Sequence, residues 1–316
     1  MLTDDPTSAP DRRSFEAMGT RVQVIAAPGS DVAIVDAAVE RVRRIFAREE
    51  QRFSRFRAES ELSRVNAQAG RWVRVSRSFA EVTALALSAA RVTSGLFDPT
   101  VLPALRAAGY DRDFKELGAA DGDPELGDIR RAFHELVIKD ATTCGAWRDV
   151  ELHGERVRLP AGAELDFGGI AKGWTVDLAA QALPKLRWAI VDAGGDLRLV
   201  GDPPTDGLDI AVEDPQAKGL EALRLRLGPG ALATSSVTAR AWGRGAHHLI
   251  DPRTGLPALT GVLQATVWAE TCAEAEVWSK AALLDGPAIL DRIPATLVMR
   301  TGEIVTSFDA LQEVGA

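Results

Sequence analysis

The chain has 316 residues, 46% of them hydrophobic and 26% charged, which is enough for one large domain or two modest ones with a sizeable core. A net charge of −8 argues against a nucleic acid as the main partner, and two cysteines, Cys144 and Cys272, are too few for a disulfide framework. No uncharged apolar run approaches the roughly 18 residues of a membrane span, and residues 1–11 resemble neither a signal peptide nor a lipoprotein leader, so we expect a cytoplasmic protein without membrane insertion.

The first third of the chain predicts a disordered start followed by helices. Residues 1–14 are expected to be disordered because the stretch is polar and contains prolines and acidic residues. A strand is predicted at residues 22–26. Helices are predicted from a capping residue or, for the last, from a proline in the first turn: they begin near Asp31, Ser60, Ser78 and Pro103.

The rest of the chain consists mainly of short strands. They are predicted at residues 72–75, 150–152, 157–159, 189–191, 197–200, 208–212, 223–227, 231–235, 247–250, 263–268, 295–300 and 304–307. Residues 118–128 are acidic and rich in glycine, which predicts a surface excursion, and Thr271 opens a helix to about residue 284. Because strands and helices alternate without a regular βαβ order, the sequence favours an α+β fold over a doubly wound one.

A glycine turn at residues 168–172 is the strongest candidate for a binding site. Gly168 and Gly169 allow a tight turn and close approach to a ligand, and a helix is predicted to follow as far as about residue 183. The free N–H groups at a helix start attract anions, and Lys172 would complete a phosphate site there. A plain turn with a solvated lysine explains the same residues without any ligand.

A second candidate site lies at residues 246–257, where His247 and His248 precede a dense turn. On a strand the two side chains point to opposite faces, so at most one of them reaches a cleft. Histidine is the commonest general base at neutral pH. A structural pair of histidines beside a tight turn is an equally good interpretation.

Taken together, the motifs of this chain resemble those of the ApbE family, whose members are FAD:protein FMN transferases. The resemblance extends from Met18 to about Leu284. Its motifs, in chain order, are MGT at residues 18–20, SELS at 60–63, FDPT at 97–100, DFGGIAKG at 166–173, GGD at 194–196, ATS at 233–235 and HLIDPRTG at 248–255. Each motif is weak evidence alone, but seven in the same order are strong evidence.

The resemblance implies that residues 15–316 form a single domain of two intertwined subdomains, with mainly antiparallel sheet, flanking helices and a flavin cleft between the subdomains. It implies that FAD binds in that cleft. The positions of this chain that match FAD-binding residues of the family are Met18, Phe56, Leu96, Phe97, Asp98, Asp166, Lys172, Leu249 and Ile250. It also implies that His248 deprotonates a threonine hydroxyl of an acceptor protein, which takes FMN from FAD as AMP is released.

The chain departs from the family pattern at the position of the metal. The resemblance implies a magnesium site formed by a backbone carbonyl, here Gly169, and by an Asp and a Thr, here Glu276 and Lys280. Glutamate can still bind magnesium, but a protonated lysine cannot. An ordinary helix ion pair is one interpretation. The other is that the Lys280 ammonium points to the pyrophosphate and supplies charge in place of the ion, so that no magnesium is bound in the usual place.

Two rival functions follow from this altered metal position. One is an FAD-binding protein without transferase activity, and the other is an FAD pyrophosphatase that uses water in place of the threonine. We expect an FMN transferase, with FAD and an acceptor protein as partners.

Overall fold

The computed structural model describes residues 10–112, 117, 144–242 and 246–308. Its centre is an eight-stranded sheet in which all neighbouring strands are antiparallel. From one edge to the other, with strands numbered along the chain, the sheet contains β1 (Asp11–Ala17), β2 (Thr20–Ala26), β6 (Trp188–Ala193), β7 (Asp196–Gly201), β10 (Gly230–Ser236), β15 (Val262–Ala269), β16 (Ala295–Met299) and β17 (Ile304–Thr306).

Smaller antiparallel units surround this sheet. A three-stranded sheet contains, in spatial order, β3 (Trp72–Arg74), β5 (Arg156–Arg158) and β4 (Glu151–His153). The strand pairs are β8 (Leu208–Glu213) with β9 (Glu221–Leu227), β11 (Ala241–Trp242) with β12 (Ala246–His247), and β13 (Ile250–Asp251) with β14 (Leu256–Pro257).

The helices lie where capping residues and apolar periodicity place them. They are α1 (Val32–Phe53), α2 (Glu61–Asn66), α3 (Arg77–Val92), α4 (Leu102–Ala107), α5 (Ala171–Gln181) and α6 (Cys272–Asp285), and 3₁₀ turns lie at Ala146–Asp149 and Gly286–Asp291. The Asp31 side chain accepts from the N–H groups of Ala33 and Ile34, which caps α1. The Thr271 side chain accepts from the N–H of Glu274, which caps α6. Among the residues described, none of the helices has the length and apolar character needed to span a bilayer.

The apolar residues form cores on both faces of the main sheet and a further core away from it. One face packs against α1, α5 and α6, and the other is covered by the β8–β9 pair. The further core is built on α2, α3 and the three-stranded sheet, and Phe79 and Phe167 are fully buried in it. The α+β class with mainly antiparallel sheet is therefore confirmed. The division into two subdomains stays a prediction.

The structure corrects three sequence predictions. Residues 11–14, expected to be disordered, belong to β1, which pairs with β2 along its whole length and is tied to α1 by the Arg13–Asp36 ion pair. Ser76, not Ser78, caps α3, because its extended backbone places the hydroxyl under the N–H of Phe79. The single strand predicted at residues 247–250 is interrupted, since the N–H of Leu249 bonds the His247 side chain.

Two predictions remain, one for residues 118–128 and one for the helix after the glycine turn. Residues 118–128 lie outside the described residues. The predicted helix after the glycine turn is α5, which ends at Gln181, near the expected residue 183. Small residues of α5, such as Ala179 and Ala180, are buried in the core beside the main sheet.

Candidate active site

One cavity collects residues from distant parts of the chain, including all nine for which FAD contact is predicted: Met18, Phe56, Leu96, Phe97, Asp98, Asp166, Lys172, Leu249 and Ile250. His248, Gly169 and Lys280 also line this cavity. Glu276 lies behind its wall and is 1% exposed. The fold thus brings every sequence-predicted site residue to one place, and their contacts with FAD stay a prediction.

The β1–β2 hairpin contributes the tip of its turn to the cavity. Met18 and Gly19 form this two-residue turn, and both have positive φ, 50° and 70°. A two-residue hairpin favours such a turn because its twist matches that of the strands, but a methionine is strained in this region. The N–H of Met18 donates to Glu50 of α1 at 3.1 Å, which holds the strained residue in place.

Two carboxylates of the cavity wall are held by backbone N–H groups. Asp98 accepts from the N–H of Thr100 at 2.7 Å and from that of Gly145 at 2.6 Å. Asp166 accepts from the N–H of Gly168 at 2.6 Å and forms an ion pair with Arg55 at 3.4 Å. Both carboxylates therefore shape the loops around the cavity, and Asp166 fixes the glycine turn itself.

Lys172, in the first turn of α5, reaches across to the main sheet. Its ammonium forms an ion pair with Asp196 and donates to the carbonyl oxygen of Ala193 at 3.0 Å. Burial works against the charged form, but the carboxylates of Asp196 and Glu276 outweigh it and raise the pKa of Lys172. An ammonium has three N–H donors, so one remains for a ligand in the cavity.

The helix α5 also positions α6, through two residues for which no individual role was predicted from the sequence. Gly173 allows the helices to touch, because a Cβ at this position would lie 2.6 Å from the carbonyl oxygen of Cys272. Asp177 accepts from the N–H groups of Cys272 and Ala273 at 2.9 and 3.0 Å, capping the start of α6. A close helix contact and a cap donated from another helix set the position of Glu276 and Lys280.

Glu276 and Lys280 are paired one turn apart on α6. The Lys280 ammonium donates to the Oε1 atom of Glu276 at 3.2 Å and to its carbonyl oxygen at 3.3 Å. The Oε2 atom of Glu276 accepts from the N–H of Gly173 at 2.8 Å. Glu276 thus accepts a hydrogen bond from one of the N–H groups at the start of α5, where a phosphate site was predicted.

The residues present do not fit a magnesium ion at this position. Magnesium requires several oxygen ligands in octahedral geometry. Both carboxylate oxygens of Glu276 already accept hydrogen bonds, and a lysine stands in place of the expected hydroxyl ligand. Within the described parts of the chain, no group of three or more His, Cys, Asp or Glu side chains is arranged for a metal.

The two adjacent histidines lie in different surroundings. His247 is fully buried, and its Nε2 atom lies 3.0 Å from the carbonyl oxygen of Ala258. His248 lines the cavity, and its Nδ1 atom lies 3.4 Å from the carbonyl oxygen of Arg240. Burial, followed by the charge of Arg240, lowers the pKa of His248 well below 6.5. His248 is therefore neutral at pH 7 and free to accept a proton.

Three further cavity residues were missed by the sequence analysis. The guanidinium of Arg55 lies 4.1 Å from the ring centre of Tyr110 and 4.6 Å from that of Phe56. These two cation–π contacts form part of the cavity wall. Arg240 also lines the cavity, and among the described residues no carboxylate pairs with its guanidinium. No local motif in the sequence marks these three residues, because the segments that bring them to the cavity are far apart along the chain.

The chain is similar in sequence and in fold to several known proteins. A model of the ApbE family matches residues 18–297. The chain is 30% identical to the FAD:protein FMN transferase of Treponema pallidum over 87% of this chain and 78% of that protein. It is 32% identical to the one of Rhodobacter capsulatus over 77% of this chain and 46% of that protein. The crystal structure of the ApbE protein of Thermotoga maritima is 28% identical, with a TM-score of 0.76 over 94% of this chain and 97% of that one.

Proposed function

The chain belongs to the ApbE family, and we propose that it is an FAD:protein FMN transferase, which moves FMN from FAD to a threonine hydroxyl of an acceptor protein and releases AMP. The observation that carries this proposal is the meeting of three features in one cavity. These are the glycine turn before α5, the ammonium groups of Lys172 and Lys280, and the neutral imidazole of His248.

The reaction is a phosphoryl transfer in which one P–O bond replaces another. The threonine oxygen attacks the phosphorus atom on the FMN side of the pyrophosphate. The bond from that phosphorus to the oxygen shared with AMP breaks, and AMP leaves with the electron pair. Such a reaction depends on positioning and on neutralising charge more than on covalent chemistry by the protein.

Lys172, Lys280 and Arg240 are the cations placed to bind the phosphates. Each lysine has donors committed to a carboxylate and a carbonyl oxygen, which fixes its ammonium before the substrate arrives. Preorganised donors need no rearrangement during the reaction, so they stabilise the developing charge effectively. Arg240 adds a charge that no described carboxylate neutralises.

We assign the removal of the threonine proton to His248, which lines the cavity. If its Nδ1–H donates to the carbonyl oxygen of Arg240, the Nε2 atom keeps the lone pair that accepts a proton. Because its pKa is lowered, the imidazole stays unprotonated through the neutral range. General-base catalysis of this kind contributes about 10²–10⁴-fold to a rate.

A transfer assay tests the proposal directly. The protein is incubated with FAD and a pool of synthetic peptides with a central threonine, and a matched pool carries valine there, which keeps the shape but lacks the hydroxyl. We expect flavin covalently attached to the threonine peptides alone, detected as a mass gain, together with an equal amount of AMP. Free FMN and AMP with both pools would indicate a pyrophosphatase, and unchanged bound FAD would indicate a binding protein.

A further inference from the structure

We propose that the ammonium group of Lys280 takes the place of a divalent ion in this site, so that the protein binds FAD without magnesium. The inference rests on the proposed function, since it concerns how the same pyrophosphate is neutralised. It is carried by the contacts of Glu276 and Lys280 with each other and with the glycine turn.

Both oxygens of the Glu276 carboxylate already accept a hydrogen bond. Its Oε2 atom accepts from the N–H of Gly173 at 2.8 Å, and its Oε1 atom accepts from Lys280 at 3.2 Å. With Glu276 1% exposed, water has little access to add further ligands. An ion at this carboxylate would lie beside the Lys280 ammonium and would compete with the N–H of Gly173 for the Oε2 atom.

The side chain of Lys280 also fills the space beside the glycine turn. A Cβ at Gly169 would lie 3.0 Å from the Cε atom of Lys280 and 3.0 Å from the ring of Phe97. The methylene groups of Lys280 therefore pack directly on the turn that the resemblance assigns to the ion. A divalent cation a few ångströms from an ammonium would also be repelled strongly in a site of low polarity.

The pair differs from an ordinary ion pair on a helix surface. Surface pairs at this spacing are solvated on both sides and stabilise a helix only slightly. Here the side chain of Glu276 is 1% exposed and that of Lys280 is 17% exposed, and Lys280 lines the cavity. Two of its three N–H donors bond Glu276, so the third is available to a phosphate oxygen.

Binding of FAD to the unaltered protein is the primary test. Calorimetric titrations with FAD are compared in excess EDTA and in millimolar magnesium chloride. We expect the two dissociation constants to agree within about twofold, because the ion lacks a ligand set. Affinity that is lost in EDTA and restored by magnesium would overturn the inference alone. Absence of FAD binding in both buffers would contradict the proposed function itself.

Variants of the pair sharpen this test. The double variant Glu276→Gln with Lys280→Met removes both charges without leaving a carboxylate unpaired, and we expect it to bind FAD about tenfold more weakly. Riboflavin, which has no phosphate, should bind it as it binds the unaltered protein. Lys218→Met, at an exposed lysine away from the cavity, is the matched control. Equal weakening of FAD and riboflavin would contradict a role at the phosphates.

The reverse substitution provides a second, independent readout. Glu276→Asp with Lys280→Thr replaces the pair by a carboxylate and a hydroxyl, which are oxygen ligands suited to magnesium. We expect FAD binding by this variant to become weaker in EDTA and stronger in magnesium. If magnesium strengthened binding to the unaltered protein as much as to this variant, Lys280 would not be the substitute for an ion.

Discussion

The helix side and the loop side of the cavity hold their charged groups in different ways. On the helix side, Lys172 and Lys280 are each bonded to a buried carboxylate, Asp196 and Glu276. On the loop side, His248 lies between the two-residue strands β12 and β13 and carries no charge at neutral pH.

Arg240 belongs to the loop side, and no described carboxylate pairs with it. On the helix side each lysine is thus paired with a carboxylate before any substrate binds. On the loop side His248 keeps a lone pair, and no carboxylate of the described residues pairs with Arg240. The contrast teaches that one site can assign binding and proton transfer to different groups. Binding needs hydrogen-bond donors held in place, and proton transfer needs a base that is unprotonated.

The largest effect is expected from His248→Ala. If His248 acts in proton transfer alone, this change lowers the rate of flavin transfer by about 10²–10⁴-fold and leaves the dissociation constant for FAD nearly unchanged. The rate at saturating FAD and the binding isotherm are measured on the same preparation. His153→Ala, at an exposed histidine outside the cavity, is the control. A loss of FAD affinity as large as the loss of rate would erase the contrast between the two sides.

The next effect concerns His247, the buried neighbour of His248. Burial lowers the pKa of His247 to about 4 from 6.5, so the unfolded chain binds a proton between these pH values while the folded protein does not. The free energy of unfolding therefore falls as the pH drops through this window, and His247→Gln should reduce that fall by up to about 3 kcal/mol.

Urea unfolding at both ends of the window measures this difference, with His153→Gln as the control at an exposed position. If the unfolding free energy of His247→Gln fell with pH as much as that of the unaltered protein, the buried neutral His247 would not be the cause of the fall. Because His247 is fully buried, its truncation to alanine should also destabilise the fold.

A third effect tests the helix side through Lys172. Lys172→Met alone would leave Asp196 buried and unpaired, so the double variant Lys172→Met with Asp196→Asn is the informative one. We expect it to weaken FAD by about tenfold to a hundredfold, the range of a lost charged hydrogen bond. Riboflavin affinity should stay nearly constant, because riboflavin has no phosphate. Equal losses for both flavins would place the phosphates elsewhere.

The smallest effect is expected from Arg240→Met. Its guanidinium is partly exposed, so solvent screens its charge, and we expect FAD to bind only about twofold to fivefold more weakly. The backbone carbonyl that orients His248 is kept in this variant. Arg240→Lys should restore most of the affinity, and Arg77→Met, with a side chain 85% exposed, is the control. A loss larger than that of the Lys172 variant would reverse the ranking of the two sides.

Local patterns in the sequence predicted the parts of the fold that depend on neighbouring residues. The cap at Asp31 and the spacing of Val35, Val39 and Val42 define α1, because capping and helical periodicity are properties of a few consecutive residues. Strand alternation predicted that at most one of His247 and His248 reaches a cleft, and the resemblance to the family selected His248. His248 does line the cavity, although the strand is interrupted.

Contacts between distant residues could not be predicted in this way. The pairing of Lys172 with Asp196 and of Gly173 with Glu276 depends on how α5 meets the sheet and α6. Arg55 and Tyr110 come together only in the folded chain, and neither lies in a recognisable motif. The ordered strand at residues 11–14 was missed because a polar edge strand looks like a disordered tail until its partner strand is known.

The pairing of each lysine with a carboxylate also affects how strongly the site attracts a charged ligand from a distance. Each ammonium is cancelled within a few ångströms by a buried carboxylate, and the whole protein carries a net charge of −8. An anionic dinucleotide diffusing nearby therefore meets little attraction until it reaches the cavity mouth. Its capture should depend on short-range fit, and its association rate should not fall as the ionic strength rises.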